Sequence, residues 1–282
     1  MHLAQQGVSR LTGTVLEENI TGEKAFWDQV GVADLIEKTG HNTDTPIIEV
    51  PHARRMVVVR DYERGVLIDQ QDRVRMLINP DSEYAKAFAQ GVGRNKDDTI
   101  IAAATADALT GKDGTTTTTF AAANIVAVDY VESGAAANSN LTVAKVREAN
   151  RILNANEVEE SERYAVISSD QLAALQRDDE FTSRDYNVLQ PLMSGQLPTI
   201  DWMGFSWRRS ERLLYVAGST TIRRCLFYHK NGIKVGTAKS PMFRIDERPD
   251  KSYATQVYVA VSWGATRMEE VRVVDVRTDE ST

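Results

Sequence analysis

The sequence predicts an α+β fold organised around one long helix, and three observations carry that reading. Residues 79–119 spell a capped helix that stops at a glycine and runs into five threonines. Residues 46–77 and 223–276 are rich in β-branched and aromatic residues cut by turn signals. Between them, residues 133–235 alternate helix and strand patterns, as a compact α/β unit does.

The long helix is predicted from its ends inward. Asn79 is a good N-cap, because its side-chain oxygen accepts from the free N–H groups of the first turn. Pro80 suits the first helical position, and Asp81 and Glu83 complement the positive end of the helix dipole. Tyr84, Phe88, Val92, Thr99, Ala103 and Ala106 share a stripe, closed by Leu109. Gly111 ends the helix in the left-handed conformation and Gly114 gives a second turn, after which threonines 115–119 favour a strand. The helix would be roughly 45 Å long, a spine for the chain. Gly91 and Gly93 fall inside it, each costing about 0.5–1 kcal/mol relative to alanine. They read either as close packing and tolerance or as a bend point.

Taken in order, residues 1–45 form an arm. Short apolar patches at Leu11, Val15 and Leu16, at Phe26, Trp27 and Val30, and at Leu35 and Ile36 are interrupted by glycines. No face is large enough for a core, and residues 23–29 and 32–38 read as short helices. Residues 46–78 are predicted as an extended β-hairpin, with strand cores at residues 56–59 and 66–68 and turns near Pro51-His52 and near Glu63-Arg64-Gly65; either turn can serve as the tip. Arg54, Arg55, Arg60, Arg64, Arg73 and Arg75 stud this stretch. A charge-studded hairpin is usually a solvated one, although arginine is also the preferred partner in interfacial ion pairs.

Residues 124–132 read as a strand and 133–140, SGAAANSN, as a small-residue linker. A helix over 141–156 places Val143, Val146, Ala149 and Leu153 on one face. A strand at 164–167, a short helix from Ser168 to Gln176 capped by Ser169 or Asp170, a loop with a short helix at 182–195, and an aromatic strand at 200–210 interrupted by Gly204 complete the α/β unit. The last strands are predicted at 223–229, 242–247, 253–263 and 271–276. Turns are expected at Asn231-Gly232, Arg248-Pro249-Asp250 and Gly264. Tyr253, Thr255, Val257, Val259, Val261 and Trp263 alternate, as in a strand with one buried face.

Composition narrows function mostly by exclusion. The chain has 282 residues and a net charge of −7, which argues against gripping nucleic acid over a broad basic face but not against enclosing it. No stretch approaches a membrane span. One cysteine, Cys225, excludes an intrachain disulfide and reads as a buried structural thiol. The four histidines, 2, 41, 52 and 229, show no ligand spacing, so no metal site is expected. Gly111-Lys112-Asp113 lacks both the Ser or Thr and the first glycine of a phosphate loop. Gly204-Phe205-Ser206-Trp207-Arg208 lacks the final glycine of a nucleophile elbow. Asp97-Asp98 and Asp178-Asp179-Glu180, beside Arg94, Lys96 and Arg177, read as solvated salt bridges rather than catalytic pairs. No catalytic or cofactor-binding residue is predicted.

The order of parts nevertheless resembles a known family. The stretches RDYERGVLIDQQDRVRMLINPDSEYAKAFAQGVGRNKDDTIIAAATADALTGKDG, SSDQLAALQRDDEFTSRDY, MSGQLPTIDWMGFSWRRS and VYVAVSWGATRMEEVRVVDV are similar to those of tailed-bacteriophage major capsid proteins, in the podovirus-like branch with the Hong Kong-type (Johnson) fold. The resemblance implies an N-terminal arm (1–45), an extended loop lying over a neighbour (46–78), a peripheral domain with the spine helix (79–132) and the C-terminal strands (236–282), and an axial domain (133–235). It implies self-assembly as hexamers and pentamers into an icosahedral head enclosing double-stranded DNA, built in the host bacterial cytoplasm, with no cofactor and no catalysis. A portal protein would be a partner, and a decoration protein is a further candidate. Because the chain starts almost directly with the arm, a separate scaffolding protein is expected. The six arginines become candidate inter-subunit contacts, and Gly91 and Gly93 a candidate spine bend. Some capsids of this fold cross-link an extended-loop lysine to a neighbour, but this chain has no lysine between Lys38 and Lys86. Two alternatives stand beside this reading: an encapsulin-like cellular nanocompartment shell of the same fold, and an enzyme of unknown class.

Overall fold

The computed structural model describes residues 9–281 apart from 32, 39, 42–44, 46, 70, 72–74, 76–79 and 179–200. The strands in the first part of the chain are β1 (Leu16–Asn19), β2 (Lys24–Val30), β3 (His52–Val58) and β4 (Arg60–Ile68). The spine helix α1 (Pro80–Thr105) follows, then β5 (Ala108–Thr110), β6 (Thr116–Thr118) and β7 (Ile125–Val126). The middle contains α2 (Val143–Ala155), β8 (Arg163–Ile167), α3 (Ser169–Arg177), β9 (Asp201–Trp202) and β10 (Phe205–Arg209). The chain ends in β11 (Ile222–His229), β12 (Ile233–Arg248), β13 (Ala254–Arg267) and β14 (Val273–Asp279).

These strands form three sheets, ordered β1-β12-β13-β4, β7-β14-β11-β8-β10-β9 and β2-β3-β5-β6. The expected α+β class is borne out, as is the long helix. At 26 residues it spans about 39 Å. It lies across β13 and β12 of the first sheet, where the Trp263 indole N–H donates to Asn95 at 2.9 Å. The six-stranded sheet carries much of the main hydrophobic cluster. Phe227 meets Phe205 and Trp207 edge-on at centroid distances of 5.1 and 5.8 Å, and α2 buries Val143, Val146, Ala149 and Leu153 as its periodicity predicts. Cys225 is fully buried beside them, and burial pushes its thiol pKa up to about 12.

Several elements differ from expectation. Residues 24–30 form a strand, not a helix, because Phe26, Trp27 and Val30 pair along β3 and tertiary pairing overrides local pattern; residues 33–38 are also not helical. The arm is not wholly without a core: Leu11 and Val15 lie in the main hydrophobic cluster. The 46–78 hairpin does not form among the described residues. β3 and β4 meet at Val59 but part into different sheets, β3 pairing with β2 and β5 while β4 pairs with β13. Glu63-Arg64-Gly65 is no turn but the middle of β4. Gly264 is likewise no turn. It sits inside β13, where a Cβ would overlap the Val58 carbonyl oxygen, so glycine permits the crossing of β3 over β13.

The spine ends at Thr105, earlier than expected. Gly111, at φ +91°, and Gly114, at φ +67°, turn the hairpin between β5 and β6 instead of terminating the helix. The strand at 124–132 shrinks to β7. The α3 cap is Ser168, which forms a capping box with Gln171, rather than Ser169 or Asp170. β14, expected among peripheral strands, pairs with β11 in the six-stranded sheet. The expected cap at Asn79 and the loop with a short helix at 182–195 lie outside the described residues.

The helix stops where Arg267 meets it. Its side chain is fully buried and reaches the spine's C-terminal end, donating to the carbonyls of Ala104 at 3.1 Å and Ala106 at 2.7 Å. It also donates to Thr118 O at 3.3 Å and to Glu270 at 2.6 Å, and lies over the Phe120 ring. Orphan helix carbonyls and the negative dipole end are thus satisfied by a cation from another strand. Arg267→Met is expected to lower the unfolding free energy by about 3–5 kcal/mol, because Glu270 and three backbone carbonyls lose their shared partner. Urea denaturation measures it, and a loss below about 1 kcal/mol would contradict this role.

Candidate functional site

The predicted site residues do not converge on one place. Arg54 lies opposite Asp28 across β2 and β3 and bonds it at 2.6 Å, with its guanidinium over Phe26. That bond raises the Arg54 pKa and lowers the Asp28 pKa. Arg55 is buried and turned inward. Its Nη2 pairs with Glu270 at 2.8 Å and its Nε donates to Met268 O, while burial pulls its pKa down. It is therefore occupied within its own chain. Arg60 and Arg64 are exposed on β4, and Arg75 is exposed beyond it. Arg73 lies outside the described residues.

Gly91 and Gly93 both fall within the continuous helix α1. A Cβ at Gly91 would meet only the Arg94 guanidinium, at 3.7 Å, so close packing does not require that glycine. The helix face that is buried is not the predicted stripe. Gly93, Asp97, Ile100, Ile101 and Ala104 are buried, whereas Phe88, Val92, Thr99 and Ala103 line clefts of about 680 and 440 Å³ between α1, β4 and β13. The spine has two apolar faces, and the one with the clearer periodicity is only half-buried.

The acidic pairs proved more structural than expected. Asp97 is fully buried and holds the arm: its carboxylate accepts from the Ser9 hydroxyl, from Arg10 N–H at 2.9 Å and from Leu11 N–H at 3.2 Å. Thr14 continues the attachment, within 2.7 Å of the buried Tyr228 hydroxyl, whose pKa is raised by burial. Sequence reasoning missed this anchor, although Asp97 sits four residues after Gly93 and three, four and seven before Ile100, Ile101 and Ala104. That spacing was the available signal. Asp98 grips Arg212 in a fork, raising the arginine's pKa. Asp178 accepts from Val143 N–H at the start of α2, at 3.1 Å.

A buried lysine ties the linker down. Lys145 donates to the carbonyls of Val128 at 2.8 Å, Ser139 at 2.7 Å and Arg277 at 3.2 Å, using all three ammonium hydrogens, while burial pulls its pKa down to about 8. His41 and His52 are exposed and His229 is buried, and no group of metal-ligating side chains occurs among the described residues. What these residues offer together is attachment of segments rather than a reaction centre.

Asp97→Ala is expected to free residues 9–11 and cost about 3 kcal/mol, the worth of charge-assisted bonds to a buried carboxylate. Trypsin cleavage after Arg10, timed on a gel, should accelerate several-fold. An unchanged rate would mean the burial of Leu11 alone holds the arm.

The sequence matches the family described as phage capsid protein over residues 1–280. No curated protein sequence matches the chain. Among solved structures, the fold is similar to the capsid of Cyanophage P-SCSP1u, with TM-score 0.74, 13% identity and coverage of 99% of this chain and 90% of that one. It is similar to the capsid of Ralstonia phage GP4, with TM-score 0.76, 12% identity and coverage of 99% and 93%. The Cyanophage Pam1 capsid subunit gives TM-score 0.70, 16% identity and coverage of 99% and 94%.

Proposed function

The chain belongs to the phage capsid protein family, and from that premise we propose that it assembles as hexamers and pentamers into an icosahedral head enclosing double-stranded DNA. Its family and fold are those of a structural capsid protein, not of an enzyme. The observation that carries the assembly reading is the family match along the whole chain, joined to apolar side chains between residues 35 and 47 that the chain leaves uncovered. Leu35 is 100% exposed and Ile47 92% exposed, which favours burial against other copies.

In this reading the six-stranded sheet with α2 and α3 forms the axial part and α1 with β12 and β13 the peripheral part. Arg60, Arg64 and Arg75 contact neighbouring copies. A separate scaffolding protein and a portal protein take part in assembly in the host cytoplasm, and a decoration protein is a further candidate partner. The net charge of −7 fits a wall that encloses DNA without gripping its sequence.

Purified protein, imaged by negative stain after assembly, should show closed shells, and DNA-filled heads should protect their DNA from nuclease. Only monomers at high concentration would overturn the reading. The shells hold without lysine cross-links, because the arginines of residues 46–78 stay protonated and are not nucleophiles. Boiled mature particles should therefore run as one band at 31.4 kDa; a covalent ladder surviving denaturant and reductant would refute this.

Gly91 and Gly93 let the spine bend as the shell changes shape. Replacing both by alanine should stiffen the helix by up to ~2 kcal/mol and slow conversion between shell states. Conversion at the normal rate would leave the glycines without that role.

A further inference from the structure

We propose that residues 47–50 of one copy add as a strand to the free edge of β12, within residues 242–248 and centred on Arg244, in a second copy. This rests on the assembly reading above and names one contact within it.

The donor is Ile47-Ile48-Glu49-Val50. Three of the four residues are β-branched and suit a strand, yet among the described residues the segment pairs with nothing. Ile47 is almost fully exposed and Ile48 half exposed. Through Pro51 the segment leads directly into β3, which belongs to a different sheet from β12.

The acceptor is an incomplete strand edge. β12 has 16 residues, but β1 pairs only with Lys234 to Thr237. The pairing with β13 then shifts register between Thr237 and Lys239 and again between Lys239 and Met242, and Pro241 falls in the second irregularity. From Met242 to Arg248 the strand is paired with β13 alone among the described residues, so alternate backbone groups on its outer side are unmatched. Phe243 and Ile245, 42% and 50% exposed, stand on one face of this edge, with Arg244 and Asp246 on the other.

The side-chain pattern selects the register. With Ile48 and Val50 beside Phe243 and Ile245, Glu49 falls beside Arg244 whether the strands run parallel or antiparallel. A parallel arrangement also sets Ile47 beside Met242. A slip of two residues toward the end of β12 would put Glu49 beside Asp246, which repels it. The other free edge of the same sheet, β4, fits poorly: with Glu49 beside Arg64, Ile48 or Val50 would lie beside Glu63. Strand addition at an edge draws its affinity from main-chain bonds and its specificity from alternate side chains, as this pairing requires.

Disulfide trapping tests the contact, because the chain's own thiol, Cys225, is buried. Glu49→Cys and Arg244→Cys chains are co-assembled in equal amounts and oxidised. Adjacent strand positions lie within disulfide reach, so a reducible dimer band should appear, several-fold stronger than from either variant alone. Glu49→Cys mixed with Arg64→Cys should give none. Normal shells without the Glu49–Arg244 band, or a band from the Arg64 mixture instead, overturn this contact and leave the assembly reading intact. Failure of the unsubstituted chain to form any particle overturns both. As a second measurement, Glu49→Arg and Arg244→Glu should each lower shell yield several-fold and, combined in one chain, restore it; no recovery counts against the pairing.

Discussion

The structure depends on the guanidinium of Arg267. It joins the C-terminal end of the spine, the hairpin strand β6 and the turn before β14 through Ala104 O, Ala106 O, Thr118 O and Glu270. Glu270 in turn holds Arg55 of β3, and its carbonyl accepts from the Asn124 amide. A buried cation without partners would be prohibitively costly. Here its donors are taken up by oxygens from elements far apart in sequence, so correct docking of each element is a condition for burying the charge at all. Conformational specificity in this region therefore comes from polar satisfaction as much as from apolar packing.

The same device recurs where segments with little core of their own are attached. Lys145 closes the linker between Val128 and Ser139 onto β14. Arg163 fastens the turn between α2 and β8 through Glu159 O, Val158 O, Asn150 and Asn154. Asp97 secures the arm from the middle of the spine. Farther along the arm, the Trp27 indole and Lys234 share Glu18, and Lys234 lies over the Trp27 ring at 4.5 Å. Such bonds are directional, so they fix where a thin segment lies even when little apolar surface is available to be buried.

Legibility followed how local each determinant is. The spine was readable from Pro80 at its first position, and α2, β8, β11 and β13 from periods and alternation that lie within a few residues of sequence. β2 was misread because its helix-like spacing competes with pairing to β3, a partner more than twenty residues away. Gly264 reads as a turn in the sequence because a glycine signals both a bend and a close approach, and only the Val58 carbonyl above it decides which. The pinning residues were hidden for the same reason. Asp97 among Arg94, Lys96 and Asp98 looks like any solvated charge run until Ser9, Arg10 and Leu11 are folded against it.

The missed burial of Asp97 also explains why the predicted apolar stripe of the spine faces open clefts. The helix is fixed to its own chain by the face carrying Gly93, Asp97, Ile100, Ile101 and Ala104, where a carboxylate and two small residues let the arm and sheet approach closely. The face carrying Phe88 and Val92 is thereby left half-buried beside a cleft. Burying a large apolar side chain contributes about 1.5–3 kcal/mol, and among the larger apolar residues of this helix Ile100 and Ile101 are buried completely while Phe88 and Val92 are only partly so. That arrangement fits a helix whose docking rests partly on directional polar bonds, with the remaining apolar area left for other surfaces. The exposed Leu35, Ile47, Phe243 and Ile245 follow the same division. In a capsid protein that division separates the bonds that define one subunit from the surfaces available to join it to the next.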